Sequence, residues 1–236
     1  MSKLKGPHVK RRAGNENYYR LLVQDVVSGN IRPGERLGEE RLAAQWGVGR
    51  SVVRETLFRL EQDGLVERKA KSGTFVREIA DEELLEIYDV RAVNEGLICR
   101  RVAERATDEE LKQLAELAER TDSVEDENEA RSTTDFDFHL QLCEVSRLKY
   151  VKRVLRVTHL HSQCSRLNQR LIYLRGFLTQ PIPKPNHRDI VEVLFRRDPA
   201  AAEQIMREHL KAAKQSLIAD MERVHARLNH IQNQLS

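Results

Sequence analysis

"GEERLAAQWGVGRSVVRETLFRLEQDG", residues 38 to 64, decides the architecture of the first third of the chain. Leu42, Ala43 and Trp46 share one face of a short helix, Gly47 breaks it, and Val53, Leu57 and Leu60 form the inner stripe of a second. Apolar residues three and four apart mark an amphipathic helix, and two such helices joined at a glycine make a helix-turn-helix. On the outer face of the second helix Arg50 and Arg54 lie four apart, with Ser51 beside them. A helix carrying guanidinium groups near its N-terminal end suits the major groove of DNA, where arginine reaches guanine edges and phosphates.

The flanks agree. Upstream, "YYRLLVQDVVSGN" (18–30) places Leu22, Val23, Val26 and Val27 at helical spacing and ends at Gly29, and "RPGE" puts Pro33 and Gly34 where a tight turn needs them. Downstream, "LVERKAKSGTFVR" (65–77) predicts two short strands around a Lys/Gly loop, a wing able to touch the DNA backbone or minor groove. Charge divides the same way. Residues 1–77 carry 16 Lys and Arg against 9 Asp and Glu, a balance of +7, while the remainder carries 24 against 28, or −4, which together give the net +3. A basic third joined to an acidic remainder fits a polyanion-binding module attached to something else.

The stretch from Ser28 to Val76 resembles the winged helix-turn-helix domain of the GntR family of bacterial transcription regulators. The likeness rests on several offsets at once: the PG turn, the L-A pair, GV-x-R, V-R-E, L-x-x-L and the G-T-F-V strand. It implies that Arg50 and Arg54 contact bases or phosphates, that Gly73 shapes the wing tip, and that Ser51, Arg41 and Lys71 belong to the same DNA-facing surface. Two positions depart from the family pattern. Glu40 stands where an arginine is usual, with Arg41 next, and Gly49 replaces the customary Ser or Thr.

Beyond residue 80 the chain reads as helix after helix. Residues 81–106 carry Leu84, Leu85, Tyr88, Val93, Leu97 and Val102; Thr107 with Glu110 predicts a capping box. "TDSVEDENEAR" (121–131) reads as a polar loop with helix ends at its edges, and helices resume from about 132. The prolines of "LTQPIPKPN" (178–186) interrupt them; Asn186 then caps a new helix, and Asp198 followed by Pro199 is a cap with proline at the first helical position. The fold class is therefore mainly α: a basic tail (1–15), a winged helix-turn-helix (16–78), an all-α bundle for effector binding and dimerisation (82–215) and a C-terminal helical extension (216–236). That bundle resembles the effector domain of the FadR subgroup of GntR regulators.

Inside it, "TTDFDFHLQL" (133–142) sets two aspartates ahead of a histidine. Residues four apart share a helix face, so Asp135 can join His139 on one ligand, whereas Asp137 points elsewhere. His187 begins one later helix and His209 lies within the next, and antiparallel packing can turn both inward. Resemblance to the metal-containing FadR-type domain, with D-x-x-x-H on one helix and two histidines beyond, implies that Asp135, His139, His187 and His209 bind a divalent metal. Three imidazoles and a carboxylate suit zinc first, with nickel, iron or manganese as alternatives. An open coordination position would attract a small organic acid, whose far end Arg91 could clamp; Arg166 and Arg170 are second choices. His159, His161, His225 and His230 fall outside the pattern and read as ordinary side chains, and His8 belongs to the tail.

Other classes are constrained. No apolar run reaches membrane-spanning length and the basic N-terminus lacks a signal-type apolar stretch, so a cytoplasmic location is expected. Cys99, Cys143 and Cys164 show no CxxC spacing and are expected to be buried thiols. The sequence thus predicts a homodimeric, non-enzymatic repressor that reads a pseudo-palindromic operator on double-stranded DNA and answers to a small carboxylate. Two alternatives stand beside it: a metal-dependent hydrolase or oxygenase using the Asp/His centre, and a regulator for which the ion alone is the signal.

Overall fold

The computed structural model describes residues 15–123, 129–173 and 185–235. The chain divides into two units, with a boundary between Ala80 and Asp81 and another within a long helix at Gln163.

In the first unit, α1 (Asn15–Val27), α2 (Glu39–Trp46) and α3 (Arg50–Gln62) combine with β1 (Arg36–Leu37), β2 (Val66–Lys69) and β3 (Gly73–Val76). α1 and α2 both pack on α3, burying Tyr18, Leu22, Leu42, Val53, Leu57 and Leu60, and the Tyr18 ring stacks on Trp46 at 4.8 Å. Gly47 ends α2 at φ 66°, its N–H donating to Ala43 O; side chains resist this left-handed backbone, which lets the chain turn straight into α3. The strands form an antiparallel sheet in the order β1-β3-β2, with Arg36 opposite Phe75 and Arg68 opposite Thr74. Two strands were expected; β1 is a third, too short to carry a pattern of its own.

The second unit contains α4 (Asp81–Arg105), α5 (Asp108–Ser123), α6 (Glu129–Ser146), the first part of α7 (Lys149–Tyr173), α8 (His187–Phe195) and α9 (Pro199–Leu235). α9 lies along α4, α5 packs on α6 and α8, and α6 also meets α4. The helix starts follow the predicted caps. Thr107 and Glu110 exchange their two hydrogen bonds at 2.8 and 3.2 Å, Asn186 and Asp189 form a complete capping box, and Asp198 Oδ1 accepts from the N–H groups of Ala200 and Ala201. Helix α6 starts at Glu129, slightly earlier than expected, and α9 runs unbroken through the C-terminal extension. Most of "LTQPIPKPN", the N-terminal tail and the middle of "TDSVEDENEAR" lie outside the described residues.

On α4, Leu84, Tyr88 and Val102 are buried whereas Val93 and Leu97 are exposed, and the positions facing inward between Tyr88 and Val102 include Arg91 and Glu95. This stretch of α4 faces a histidine cluster. All three cysteines are buried and unpaired.

Candidate nucleic-acid interface and metal centre

On the first unit, Arg50, Ser51 and Arg54 all lie exposed on the opening turns of α3. Gly49 supplies no side-chain cap at the start of that helix. Arg54 Nε donates to Glu39 Oε2 at 2.8 Å and Arg50 Nη1 to Glu40 Oε1 at 3.1 Å, so both arginines are held by the two glutamates that open α2. Arg41 is exposed and reaches Glu35 at 3.4 Å. Lys71 sits exposed between β2 and β3 at φ 60°, a conformation few non-glycine residues adopt. Gly73, two residues on, has φ 113°, a backbone that favours glycine, and a β-carbon there would also press within 3.0 Å of the flexible Arg36 side chain.

In the second unit, the four sequence-predicted metal residues converge. His139, His187 and His209 are buried, with one ligand nitrogen from each within 4.8 Å of the others. Their ring centroids are 5.0 Å apart for His187 and His209, and 5.6 and 5.7 Å from His139 to each of these. Asp135 completes the group from the turn before His139, its Oδ1 lying 3.3 Å from His187 Nε2 and 4.0 Å from His139 Nε2. Asp137 points to solvent, as its position two residues on requires.

Each imidazole is turned the same way. His187 Nδ1 donates to Asp122 Oδ1 at 2.7 Å and His209 Nδ1 to the Pro185 carbonyl at 2.6 Å, while His139 Nδ1 abuts Glu95 Oε2. For His187 and His209 the acceptor at Nδ1 fixes the proton there and places the ring's lone pair on Nε2, the arrangement that metal-binding histidines share. Among the described residues, His139 Nε2 and His187 Nε2 are both buried without a hydrogen-bond partner, as are His139 Nδ1 and Glu95 Oε2. Buried polar atoms are rarely left so, and the two Nε2 atoms face a carboxylate and a third imidazole. Burial alone would raise the Asp135 carboxyl, yet His187 and His139 hold it well below its usual range, so it is an anion. The donor set fits a divalent cation.

Three residues of this centre escaped the sequence reading. Asp122, at the end of α5, also accepts from the backbone N–H of His187 and Arg188, so it caps α8 and aims the first ring of that helix together. Glu95 joins Arg91 to His139: Arg91 Nε donates to Glu95 Oε1 at 2.7 Å. His159, expected to be ordinary, is buried in the cluster. Its Nε2 lies 2.9 Å from Arg91 Nη2, and a guanidinium only donates, so His159 Nε2 accepts. Burial and Arg91 keep this imidazole neutral, well below its usual titration range.

Glu95, His139 and His159 also bring ligand atoms within 4.8 Å of one another. That second triad is a poorer cation site, because the Arg91 guanidinium already occupies the Glu95 carboxylate and the His159 lone pair. Arg91 itself is buried, with Ser162 Oγ as a further acceptor at 3.1 Å. The side chains of Arg166 and Arg170 lie outside the described residues. His161 is buried, and His225 is exposed with its Nε2 3.3 Å from Asp81.

A winged helix-turn-helix bearing exposed arginines on its second helix, followed by a helical unit with a buried donor cluster, defines a two-domain DNA-binding regulator. The chain matches the "Bacterial regulatory proteins, gntR family" domain over residues 15–76 and the FCD domain over residues 86–212, and it belongs to the GntR family with an FCD-type second domain. It is 28% identical to the HTH-type transcriptional regulator YdhC of Bacillus subtilis (strain 168), covering 91% of this chain and 90% of that one. Similarity to the HTH-type transcriptional repressor RspR of Escherichia coli (strain K12) is 25% identity over 86% and 88% of the two chains. A GntR regulator structure from Rhodococcus sp. RHA1 shares the fold, with a TM-score of 0.66, 23% identity, and coverage of 87% of this chain and 97% of that one. Both domains and these relatives are transcription regulators, not enzymes, which sets aside the hydrolase or oxygenase alternative. Among the described residues no helix is long and apolar enough to cross a membrane.

Proposed function

We propose that this protein is a homodimeric repressor whose hold on a pseudo-palindromic operator is set by a small carboxylic acid bound beside a divalent ion, zinc first among the candidates. The observation that carries the reading is the common orientation of three buried imidazoles, each with Nδ1 against an acceptor, around the Asp135 carboxylate. Asp135, His139, His187 and His209 would hold the ion, which when bound supplies a Lewis-acid position for a carboxylate oxygen. Asp122 and Glu95 orient two of the rings. Asp135 is the ligand nearest solvent, 19% exposed, so an acid approaches from its side.

Arg91 is the clamp for the acid's far end. Three of its N–H groups have acceptors among the described residues, on Glu95, Ser162 and His159. The other two of the five that a guanidinium carries would serve a ligand. On DNA, Arg50 and Arg54 read base edges, Ser51, Arg41 and Lys71 contact phosphates, and Gly73 shapes the wing. Release follows if the acid favours the state that does not bind DNA.

The test uses full-length protein stripped with a chelator and reloaded with zinc, with DNA binding followed by fluorescence anisotropy across a panel of small mono- and dicarboxylates. Acid-dependent release seen only in the zinc-loaded protein supports the reading. Release by zinc alone supports the regulator that answers to the ion, and indifference to both overturns metal-linked sensing. Separately, Arg54→Ala should weaken binding to duplex that the wild type selects from a random pool by about 1 to 3 kcal/mol. Unchanged affinity removes Arg54 from the interface.

A further inference from the structure

The carboxylates that hold the α3 arginines stand on the surface that faces DNA. Arg54 Nε donates to Glu39 Oε2 at 2.8 Å; Arg50 bridges both glutamates, Nη1 to Glu40 Oε1 at 3.1 Å and Nη2 to Glu39 Oε2 at 3.5 Å. The side chains are open to water, Arg50 at 53%, Arg54 at 59% and Glu40 at 81% exposure. Glu39 is an anion, since the Arg54 hydrogen bond outweighs partial burial and holds its carboxyl below the ordinary range. Ion pairs this exposed add little to fold stability, so they do not need to be there for α2 and α3 to pack. Their position points to another consequence.

A duplex presents about one negative charge per 1.7 Å of axis, and binding to random sequence consists almost entirely of neutralising those charges. To do so, Arg50 and Arg54 must leave Glu39 and Glu40, and the two released carboxylates then face phosphates. At an operator the loss is smaller: Arg54 bonds Glu39 through Nε, so its two Nη atoms can make a bidentate contact to a guanine edge, worth about 1 to 3 kcal/mol of discrimination, while that bond stays in place. The penalty therefore falls more heavily on random sequence than on an operator.

We infer that Glu39 and Glu40 are specificity-determining residues, which keep Arg50 and Arg54 off random phosphate until a duplex offers the base edges that compete for them. This rests on the reading of the two arginines as DNA contacts. It assigns a role to Glu40, 81% exposed beside Arg50.

The experiment measures full-length E39Q/E40Q against two probes by anisotropy at several salt concentrations: a random-sequence duplex, and the duplex that the wild type enriches from a random pool. Affinity for the random duplex should rise roughly fivefold, which at about 1.4 kcal/mol per tenfold matches an exposed ion pair of about 1 kcal/mol. Affinity for the enriched duplex should rise less, so the ratio between the probes falls. The gain should also vanish in an R50A/R54A background, because no arginine is left to release. A gain below about twofold on random duplex overturns the inference, as does an equal gain on both probes or a gain that survives R50A/R54A. If the double variant does not fold, E40Q alone, at the exposed position, carries the same test. R54A by itself separates the two readings: no loss on either probe removes the arginine from the interface, whereas a loss on the enriched duplex without the glutamate effect sinks only the inference.

Discussion

Replacing Glu95 by alanine tests how the buried half of the centre is held. Arg91 and Glu95 are 3% and 2% exposed, four residues apart on α4, with Nε and Oε1 separated by 2.7 Å. Burial by itself would neutralise Glu95, but Arg91 and His139 hold its carboxyl far below the ordinary range, so the pair is fully charged. Without Glu95 the guanidinium stays in the core with Ser162 Oγ at 3.1 Å and neutral His159 Nε2 at 2.9 Å as its acceptors among the described residues, and with the Asp135 carboxylate as a nearby but unbonded anion. Stranding one member of a buried pair costs about 3 to 5 kcal/mol. For a protein of 150 to 250 residues, about 2 to 4 °C of Tm accompanies each kcal/mol, so Glu95→Ala should melt about 6 to 20 °C below wild type. The assay is thermal unfolding by far-UV circular dichroism at matched metal load. An Arg91→Met, Glu95→Leu double variant should lose less than the single variant, because neither member of the pair is left without its partner. A Glu95→Ala protein melting within about 3 °C of wild type would refute this account of the pair.

Three further outcomes follow from the same geometry. Asp122→Asn should lower metal affinity about 10- to 100-fold, read by competition with a chromogenic chelator, because Asp122 fixes the His187 tautomer while contributing no ligand. Zinc at about 100 times its dissociation constant should stabilise stripped protein by about 2.7 kcal/mol, about 5 to 11 °C in Tm, and His139→Ala should abolish the shift. Gly47→Ala should destabilise the winged domain by about 1 to 2 kcal/mol in urea unfolding, since φ 66° opposes a β-carbon there although no atom lies within 4 Å of it.

Much of this structure was legible because its signals are local. The turn at Gly47, the buried stripe of Val53, Leu57 and Leu60, and the caps at Thr107, Asn186 and Asp198 each depend on residues a few positions apart. Asp135 and His139 belong to the same class, a helical turn shared by two ligand types. What escaped depends on long-range pairing. β1 is defined only by its neighbour β3, Asp122 meets His187 across 65 positions, and His159 meets Arg91 across 68. No spacing in the sequence announces such contacts. Glu95 is different: it stands four residues after Arg91, the same interval as Asp135 to His139, and that signal could have been used. The apolar residues of α4 did not mark its inner face, since Val93 and Leu97 turn to solvent while Arg91 and Glu95 turn inward.

The central claim, that one carboxylate and three imidazoles bind an ion, is tested most directly by metal analysis combined with X-ray absorption on full-length protein purified without chelator. The account predicts about one divalent ion per chain in a nitrogen and oxygen environment with imidazole scattering, and its loss in His139→Ala and His209→Ala. Wild-type protein that carries no ion and takes up none from micromolar zinc would contradict it.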